Sequence, residues 1–234
     1  MLFQEYTSHI QTFIPKAIYG VLRLDERLSL RLEERLDEKE KEKMSLYKGG
    51  SLFIFGLPID SEALWFWNHL NGKRYLTANH ILESIIVSLA EMFPASHIQS
   101  LDRISNHKIA QVVLAEMAGL GTRGWNNVLL HPEHGAYIQL TTIVTKDVFL
   151  DINYGRPMDK DVCIKCGRCV DACPVNALSP TDFFAFRCSS VVASPEKIKS
   201  KAVAVTSDSY VECRACIDSC PIGLNIEKLY EWKK

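Results

Sequence analysis

No cysteine lies before Cys163 in this chain of 234 residues. A small secreted protein held by disulfides would distribute its bridges along the sequence, so this pattern argues against that class. The chain also lacks an apolar run long enough to cross a bilayer. Residues 1–10 lack the basic segment and apolar segment of a secretory signal. We therefore expect a cytoplasmic protein that does not enter a membrane.

A concentrated positive charge is the second feature that is missing. The formal net charge is −1, and no block of lysine or arginine stands alone. Because a basic patch is the usual sign of a nucleic-acid-binding surface, we do not expect nucleic acid as a partner. The composition is 47% hydrophobic, which is enough to bury a core in one large domain or in two unequal ones.

Residues 1–150 combine helical and extended patterns, as an α+β fold does. The charged stretch 22–44 predicts a solvated helix, with pairs such as Asp37 and Lys41, or alternatively an arm that docks a partner. Residues 151–161 have the composition of a linker. The further predictions are a buried strand at 51–57, a helix from Thr77 to Pro94, a helix from Ser105 or Asn106 to Gly119, and strands at 128–130 and 137–150.

Eight cysteines follow in the C-terminal third. The first four have the spacing C-x2-C-x2-C-x3-C and precede Pro174, which is the run of bacterial ferredoxins: Cys163, Cys166, Cys169 and Cys173. In that run three thiolates bind one [4Fe–4S] cube and the fourth turns to a second cube. A zinc site would need only two C-x2-C pairs and no fourth cysteine followed by proline. The motif therefore predicts iron–sulfur clusters and electron transfer.

A degenerate copy of the motif lies near the C-terminus. Cys213, Cys216 and Cys220 match its last three ligands, and Tyr210 stands where the first should be. Cys188 is either a buried free thiol or the missing ligand, and we favour the ligand because the second cube is otherwise incomplete. The crossing rule of ferredoxins then assigns Cys163, Cys166, Cys169 and Cys220 to cluster one. Cluster two receives Cys173, Cys188, Cys213 and Cys216.

The segment 115–150, AEMAGLGTRGWNNVLLHPEHGAYIQLTTIVTKDVFL, resembles the segment before the clusters in epoxyqueuosine reductases and reductive dehalogenases. FGLP at 55–58 and ALSP at 177–180, followed by Arg187 and Cys188, fit the same families. The positions that carry the match in segment 115–150 are Ala118, Gly119, Leu120, Gly121, Gly124, Asn126, Leu129, Leu130, Gly135 and Thr145.

The resemblance implies a nitroreductase-like α/β domain at 1–150, which holds a cobalamin, and a ferredoxin-like domain at 151–234 with two [4Fe–4S] clusters that reduce the cobalt. A ferredoxin or flavodoxin would donate electrons, and a small molecule or a corrinoid protein would be the substrate or partner. The candidate cofactor contacts are Gly119, Gly121, Gly124 and Asn126, although a helix end and a tight turn would need glycines without any ligand. The family's proton-donating aspartate falls at Ser105, with Asp102 the nearest acid, so no catalytic residue is assigned.

Two other interpretations remain open. The chain can be an electron relay that binds no corrinoid and docks a larger redox partner, whereas a regulatory iron–sulfur sensor would need a DNA-binding signature that we do not find. His131 and His134 are either metal ligands or part of a surface turn. The aromatic residues at 65–67 line a pocket or belong to the core.

Overall fold

The computed structural model describes residues 3–70, 73–188, 190, 203–206 and 209–223. The fold is mixed α/β. Its helices are α1 (Phe3–Gln11), α2 (Glu26–Glu33), α3 (Glu38–Ser45), α4 (Thr77–Met92), α5 (Leu101–Ser105), α6 (Gln111–Met117), α7 (Arg168–Asp171) and α8 (Ala215–Asp218). Its strands are β1 (Ile18–Arg23), β2 (Ser51–Pro58), β3 (Phe66–Leu70), β4 (Lys73–Leu76), β5 (Gln99–Ser100), β6 (Thr122–Arg123), β7 (Leu129–Leu130), β8 (Ile138–Thr145), β9 (Val203–Ala204) and β10 (Ser209–Val211).

The chain folds into two compact units. Unit 1 contains residues 1–58, 81–120 and 139–158, and unit 2 contains residues 59–80, 121–138 and 159–234. Each unit is made of three separate segments of the chain, so the units do not correspond to two consecutive domains. The predicted division into domains 1–150 and 151–234 stays a prediction. Over the described part of the chain, no helix has both the length and the apolar character that a membrane span requires.

Unit 1 is built on a four-stranded sheet with the order β1-β2-β8-β5. Strand β2 is buried along its whole length, which confirms the strand predicted at 51–57. Its Phe53 ring lies 5.5 Å from Tyr6 and 5.9 Å from Phe149, measured between centroids. Tyr6 is fully buried and donates a hydrogen bond to Asp147 Oδ2 at 2.7 Å. An aromatic core therefore joins α1 to the sheet.

The charged stretch 22–44 is not the single solvated helix that we expected. Asp25 and Asp37 each accept a backbone N–H at a helix start and so divide the stretch into α2 and α3. Lys41 pairs with Glu38 and not with Asp37. Lys108 contacts Asp37 at 3.0 Å and the buried Glu40 at 2.6 Å. One side of α3 is therefore buried and is paired there with Lys108, which lies far from α3 in the sequence.

The two predicted amphipathic helices are present with altered limits. Helix α4 ends two residues before Pro94, as predicted. The second helix begins at Gln111, because Asn106 and His107 adopt left-handed φ values of 47° and 60° and end α5. Gly119, with φ of 78°, follows the last helical turn of α6 and confirms the predicted helix end. The predicted strands 128–130 and 137–150 are shorter, as β7 and β8.

Unit 2 contains a sheet with the order β4-β3-β10-β9 and the hairpin β6-β7. Two short helices, α7 and α8, pack against each other. Helix α7 begins two residues after Cys166, and α8 begins two residues after Cys213. The two cysteine motifs therefore have the same local structure, as the internal repeat predicts.

Candidate iron–sulfur centre

A polar cluster fixes the start of the first cysteine motif. Thr122 Oγ1 on β6 donates to Asp161 Oδ1 at 2.9 Å and accepts the Val162 N–H at 2.9 Å. The same carboxylate oxygen accepts the Cys163 N–H at 2.9 Å. Partial burial opposes ionisation, but the hydrogen bonds from Thr122 and Cys163 outweigh it and lower the pKa of Asp161. Cys163 is thereby held by the hairpin strand and not only by its own loop.

The loop between Cys163 and α7 turns sharply. Lys165 and Gly167 have positive φ values of 55° and 81°, and Gly167 precedes the first residue of α7. A left-handed residue at each place reverses the chain within a few residues. The next cysteine, Cys169, then lies inside α7, and Cys173 lies just beyond it.

The four cysteines predicted for cluster one line one cavity. Burial raises the pKa of Cys169, and the neighbouring thiols of Cys163 and Cys220 raise it further. The pKa of Cys220 rises for the same reason, first by burial and then by Cys166 and Cys163. The other residues of the lining are Trp125, Asn126, Leu130, Ile164, Lys165, Gly167, Pro221 and Ile222. Cys220 thus lies with the first motif, although it belongs to the second.

The cysteines predicted for cluster two form another group. Burial raises the pKa of Cys216 to about 12, with further contributions from Cys213, Cys188 and Cys173 and a weaker one from Cys169. Cys188 follows a turn in which its N–H donates to Ala185 O at 3.1 Å. The thiol of Cys188 therefore lies near enough to Cys216 to raise its pKa, and the Cys188 side chain is partly exposed.

A buried charge network supports the second motif and was not anticipated from the sequence. Arg214, next to Cys213, contacts Glu62, and its Nε donates to Asp218 Oδ1 at 3.1 Å. The three side chains are 0–4% exposed. Tyr137 also donates to Asp218 Oδ1 at 3.0 Å, and burial together with that carboxylate raises the tyrosine pKa. The sequence contains one sign of this network, because Arg214 stands at the position where the first motif has Gly167.

The three glycines predicted to contact a cofactor are each explained by packing within the chain. A Cβ on Gly119 would lie 2.5 Å from Arg156 O, and one on Gly121 would lie 2.3 Å from Leu130 O. A Cβ on Gly124 would lie 2.5 Å from Asn126 Oδ1. Packing within the chain therefore accounts for Gly119 and Gly121 without a ligand, and their contact with a cofactor stays a prediction. Asn126, in contrast, lines the cavity of the cluster-one cysteines.

The remaining candidates have ordinary contacts. The rings of His131 and His134 stack with centroids 4.9 Å apart. Nδ1 of His131 accepts the backbone N–H groups of Glu133 and His134, as in the predicted turn, and burial lowers its pKa. Asp102 accepts Gln111 Nε2 at 2.8 Å, which ties it to the start of α6. The aromatic residues at 65–67 are half-buried at the start of β3.

Comparison with known proteins agrees with the cysteine pattern. Residues 162–223 match the family described as "4Fe-4S double cluster binding domain". The chain is 32% identical over 174 residues to the epoxyqueuosine reductase of Listeria monocytogenes, covering 74% of this chain and 42% of that protein. It is 28% identical over 139 residues to the Bacillus subtilis enzyme, covering 56% and 34%. The chain is a relative of the epoxyqueuosine reductases. It spans less than half the length of these two curated relatives.

Solved structures extend the likeness to the fold. The epoxyqueuosine reductase of Streptococcus thermophilus superposes with a TM-score of 0.60 at 18% identity, covering 98% of this chain and 68% of that one. A second epoxyqueuosine reductase, solved with an epoxyqueuosine-modified tRNA stem loop, gives 0.60 at 19% identity and covers 93% and 64%. A catabolic reductive dehalogenase gives 0.51 at 17% identity, covering 87% and 29%. The predicted resemblance is confirmed in sequence and fold for the epoxyqueuosine reductases and in fold for the reductive dehalogenase.

Proposed function

We propose that this protein carries two [4Fe–4S] clusters with crossed ligation and passes electrons between them. Cluster one would be held by Cys163, Cys166, Cys169 and Cys220, and cluster two by Cys173, Cys188, Cys213 and Cys216. The observation that carries the proposal is the cavity lined by the first four cysteines, because it joins ligands from two motifs. The second set is supported by the pKa of Cys216, which the neighbouring thiols of Cys213, Cys188 and Cys173 all raise.

The short helices account for how two clusters would communicate. Helix α7 contains Cys169 for cluster one and is followed by Cys173 for cluster two. Helix α8 contains Cys216 for cluster two and is followed by Cys220 for cluster one. Each helix therefore contributes a ligand to both clusters, and the two packed helices keep the clusters adjacent. Bound clusters supply one-electron chemistry, while the protein supplies their spacing and shielding.

The acceptor is the finer part of the proposal. The likeness to epoxyqueuosine reductases extends over nearly the whole chain, which favours a nitroreductase-like α/β part that receives electrons from the clusters for a reductase reaction. In the resemblance that acceptor is a corrinoid. The packing of Gly119 and Gly121 needs no ligand, so a corrinoid contact at those two residues rests on the resemblance alone.

The same packing favours a second candidate, an electron relay without a corrinoid. Because a Cβ on Gly119 would meet Arg156 O and one on Gly121 would meet Leu130 O, the fold already requires both glycines without any ligand. In this case the chain would take electrons from a ferredoxin or flavodoxin and deliver them to a larger redox partner.

One experiment tests the function and separates the two candidates. The protein is purified without oxygen, its iron and sulfide are measured, and hydroxocobalamin is added and the excess removed. We expect about eight irons per chain, four for each cluster, whereas four irons or bound zinc would contradict the two-cluster proposal. Retention of one corrinoid per chain, read from its visible absorbance, supports the reductase, and absence of retention supports the relay.

Nucleic acid is a separate question because one relative was solved with a tRNA stem loop. The net charge of −1 leads us to expect weak binding at physiological salt. Titrating a fluorescent tRNA stem loop with cluster-loaded protein at two salt concentrations tests this expectation. Tight binding that weakens steeply with salt would show that a local basic surface outweighs the balanced total charge.

A further inference from the structure

Asn126 is a buried amide without a partner in the described part of the chain. The residue is 5% exposed, and neither its Nδ2 nor its Oδ1 has a hydrogen-bond partner among the described residues. A buried amide that makes no hydrogen bond is costly, so buried polar groups in native proteins are nearly always paired. The side chain therefore indicates a bound group that protein atoms alone do not supply.

The loop around Asn126 keeps the amide in place. Gly124 N donates to Val128 O at 3.0 Å, and Asn127 N donates to Gly124 O at 2.9 Å, which closes a tight turn. A Cβ on Gly124 would lie 2.5 Å from Asn126 Oδ1, so the glycine is what leaves room for the amide. Packed in this turn, Asn126 cannot turn to solvent for a hydrogen bond without rearranging its own loop.

The surroundings identify the missing partner by its chemistry. Asn126 lines the cavity that also contains Cys163, Cys166, Cys169 and Cys220. Much of the remaining lining is apolar, and Lys165 is exposed and pairs with Asp161. The sulfur atoms of a cluster carry negative charge and accept hydrogen bonds, and such bonds raise the cluster potential because the reduced form is the more negative.

We propose that Asn126 Nδ2 donates a hydrogen bond to a sulfur of cluster one, either a bridging sulfide or a cysteine thiolate. The inference rests on the proposed function, which assigns those four cysteines to one cluster. This hydrogen bond favours the reduced state of cluster one. Asn126 donates no hydrogen bond to cluster two. The two clusters would then differ in potential because of a loop that lies outside both cysteine motifs.

The test compares Asn126→Leu, which removes the donor at similar volume, with Asn79→Leu, which makes the same exchange at an exposed position of α4 outside the cavity. Anaerobic redox titrations followed by EPR report each cluster. In Asn126→Leu we expect the ratio of reduced to oxidised cluster one at a fixed potential to fall about tenfold, equal to a 59 mV shift for one electron. Cluster two should titrate as in the unmodified protein, and Asn79→Leu should change the potential of neither cluster.

A spectroscopic measurement on the unmodified protein makes the inference independent of how well a variant folds. Asparagine labelled with ¹⁵N in the side-chain amide should give a nitrogen coupling in pulsed EPR of reduced cluster one, and Asn126→Leu should abolish it. Absence of this coupling in the unmodified protein overturns the inference, as do unchanged potentials in a fully loaded variant. If the unmodified protein lacks the iron of cluster one, the proposed function fails first, and iron analysis shows this before any variant is made.

Discussion

Replacing Glu62 with alanine should destabilise the cluster-binding unit strongly. The Glu62 side chain is 0% exposed and pairs with Arg214, which is 4% exposed and lies between two cysteines of the second motif. Without Glu62, Arg214 loses one of the buried carboxylates that balance its charge, while the Asp218 contact at 3.1 Å remains. Breaking a buried ion pair by removing one partner costs about 3–5 kcal/mol, because the remaining charge stays desolvated.

The loss can be measured by urea denaturation of anaerobic, cluster-loaded protein, with the visible absorbance of the clusters as the signal. For a slope of about 3 kcal/mol/M, the predicted loss lowers the midpoint by roughly 1–2 M urea. Cluster release makes unfolding irreversible, so all samples are compared after the same incubation time. Glu62→Gln, which keeps an acceptor for Arg214, should lose less than half as much.

Asp60→Ala provides the matched control, because Asp60 is an exposed acid two residues away. A surface substitution of this kind changes stability by about 0.5 kcal/mol or less. If Glu62→Ala denatures at the same urea concentration as Asp60→Ala, the buried charge network does not stabilise the unit, and the reasoning from burial is wrong.

Three further variants test the clusters and the core of unit 1. Cys188→Ala should leave cluster one intact and convert cluster two to a three-iron form, or lose it; an EPR-silent oxidised protein with all its iron would show that Cys188 is no ligand. Cys220→Ser should alter cluster one, and an EPR change confined to cluster two would refute the crossed ligation. Tyr6→Phe leaves Asp147 without its hydrogen bond at 2.7 Å and should cost about 1–3 kcal/mol in urea denaturation; no loss would mean that water replaces the hydroxyl.

The cysteine grouping could be predicted from the sequence because it depends on short spacings and on a repeat. Each motif fixes its ligands within a few residues, and the repeat sets α7 and α8 in equivalent places. The pair of Glu62 and Arg214 could not be predicted in this way, since its members lie 152 residues apart. Periodicity reports which side of an element is buried, but it does not report which distant charge will balance a buried one.

The charged stretch 22–44 also shows what can and what cannot be predicted from the sequence. Its density of charge favours a solvated helix, yet the sequence already contains the signal that divides it, since Asp37 is followed three residues later by Glu40 in a capping box. The buried Glu40 pairs with Lys108 at 2.6 Å. The local break could therefore be predicted from the sequence, whereas the ion pair of the buried Glu40 involves Lys108, from the loop between α5 and α6.

Tyr210 links the irregular second motif to the fold. The residue lies on β10 opposite Trp67 of β3, and its ring meets His69 at 5.7 Å. Cys163, its counterpart in the first motif, lies instead in a loop held by Asp161. A residue fixed in a β-ladder cannot fold back toward a cluster as a loop residue can, so under the proposed ligation the fourth thiolate has to come from another segment. Cys188, at the end of a turn near Cys216, meets that requirement. The absence of a cysteine at position 210 and the presence of one at position 188 then have the same structural cause.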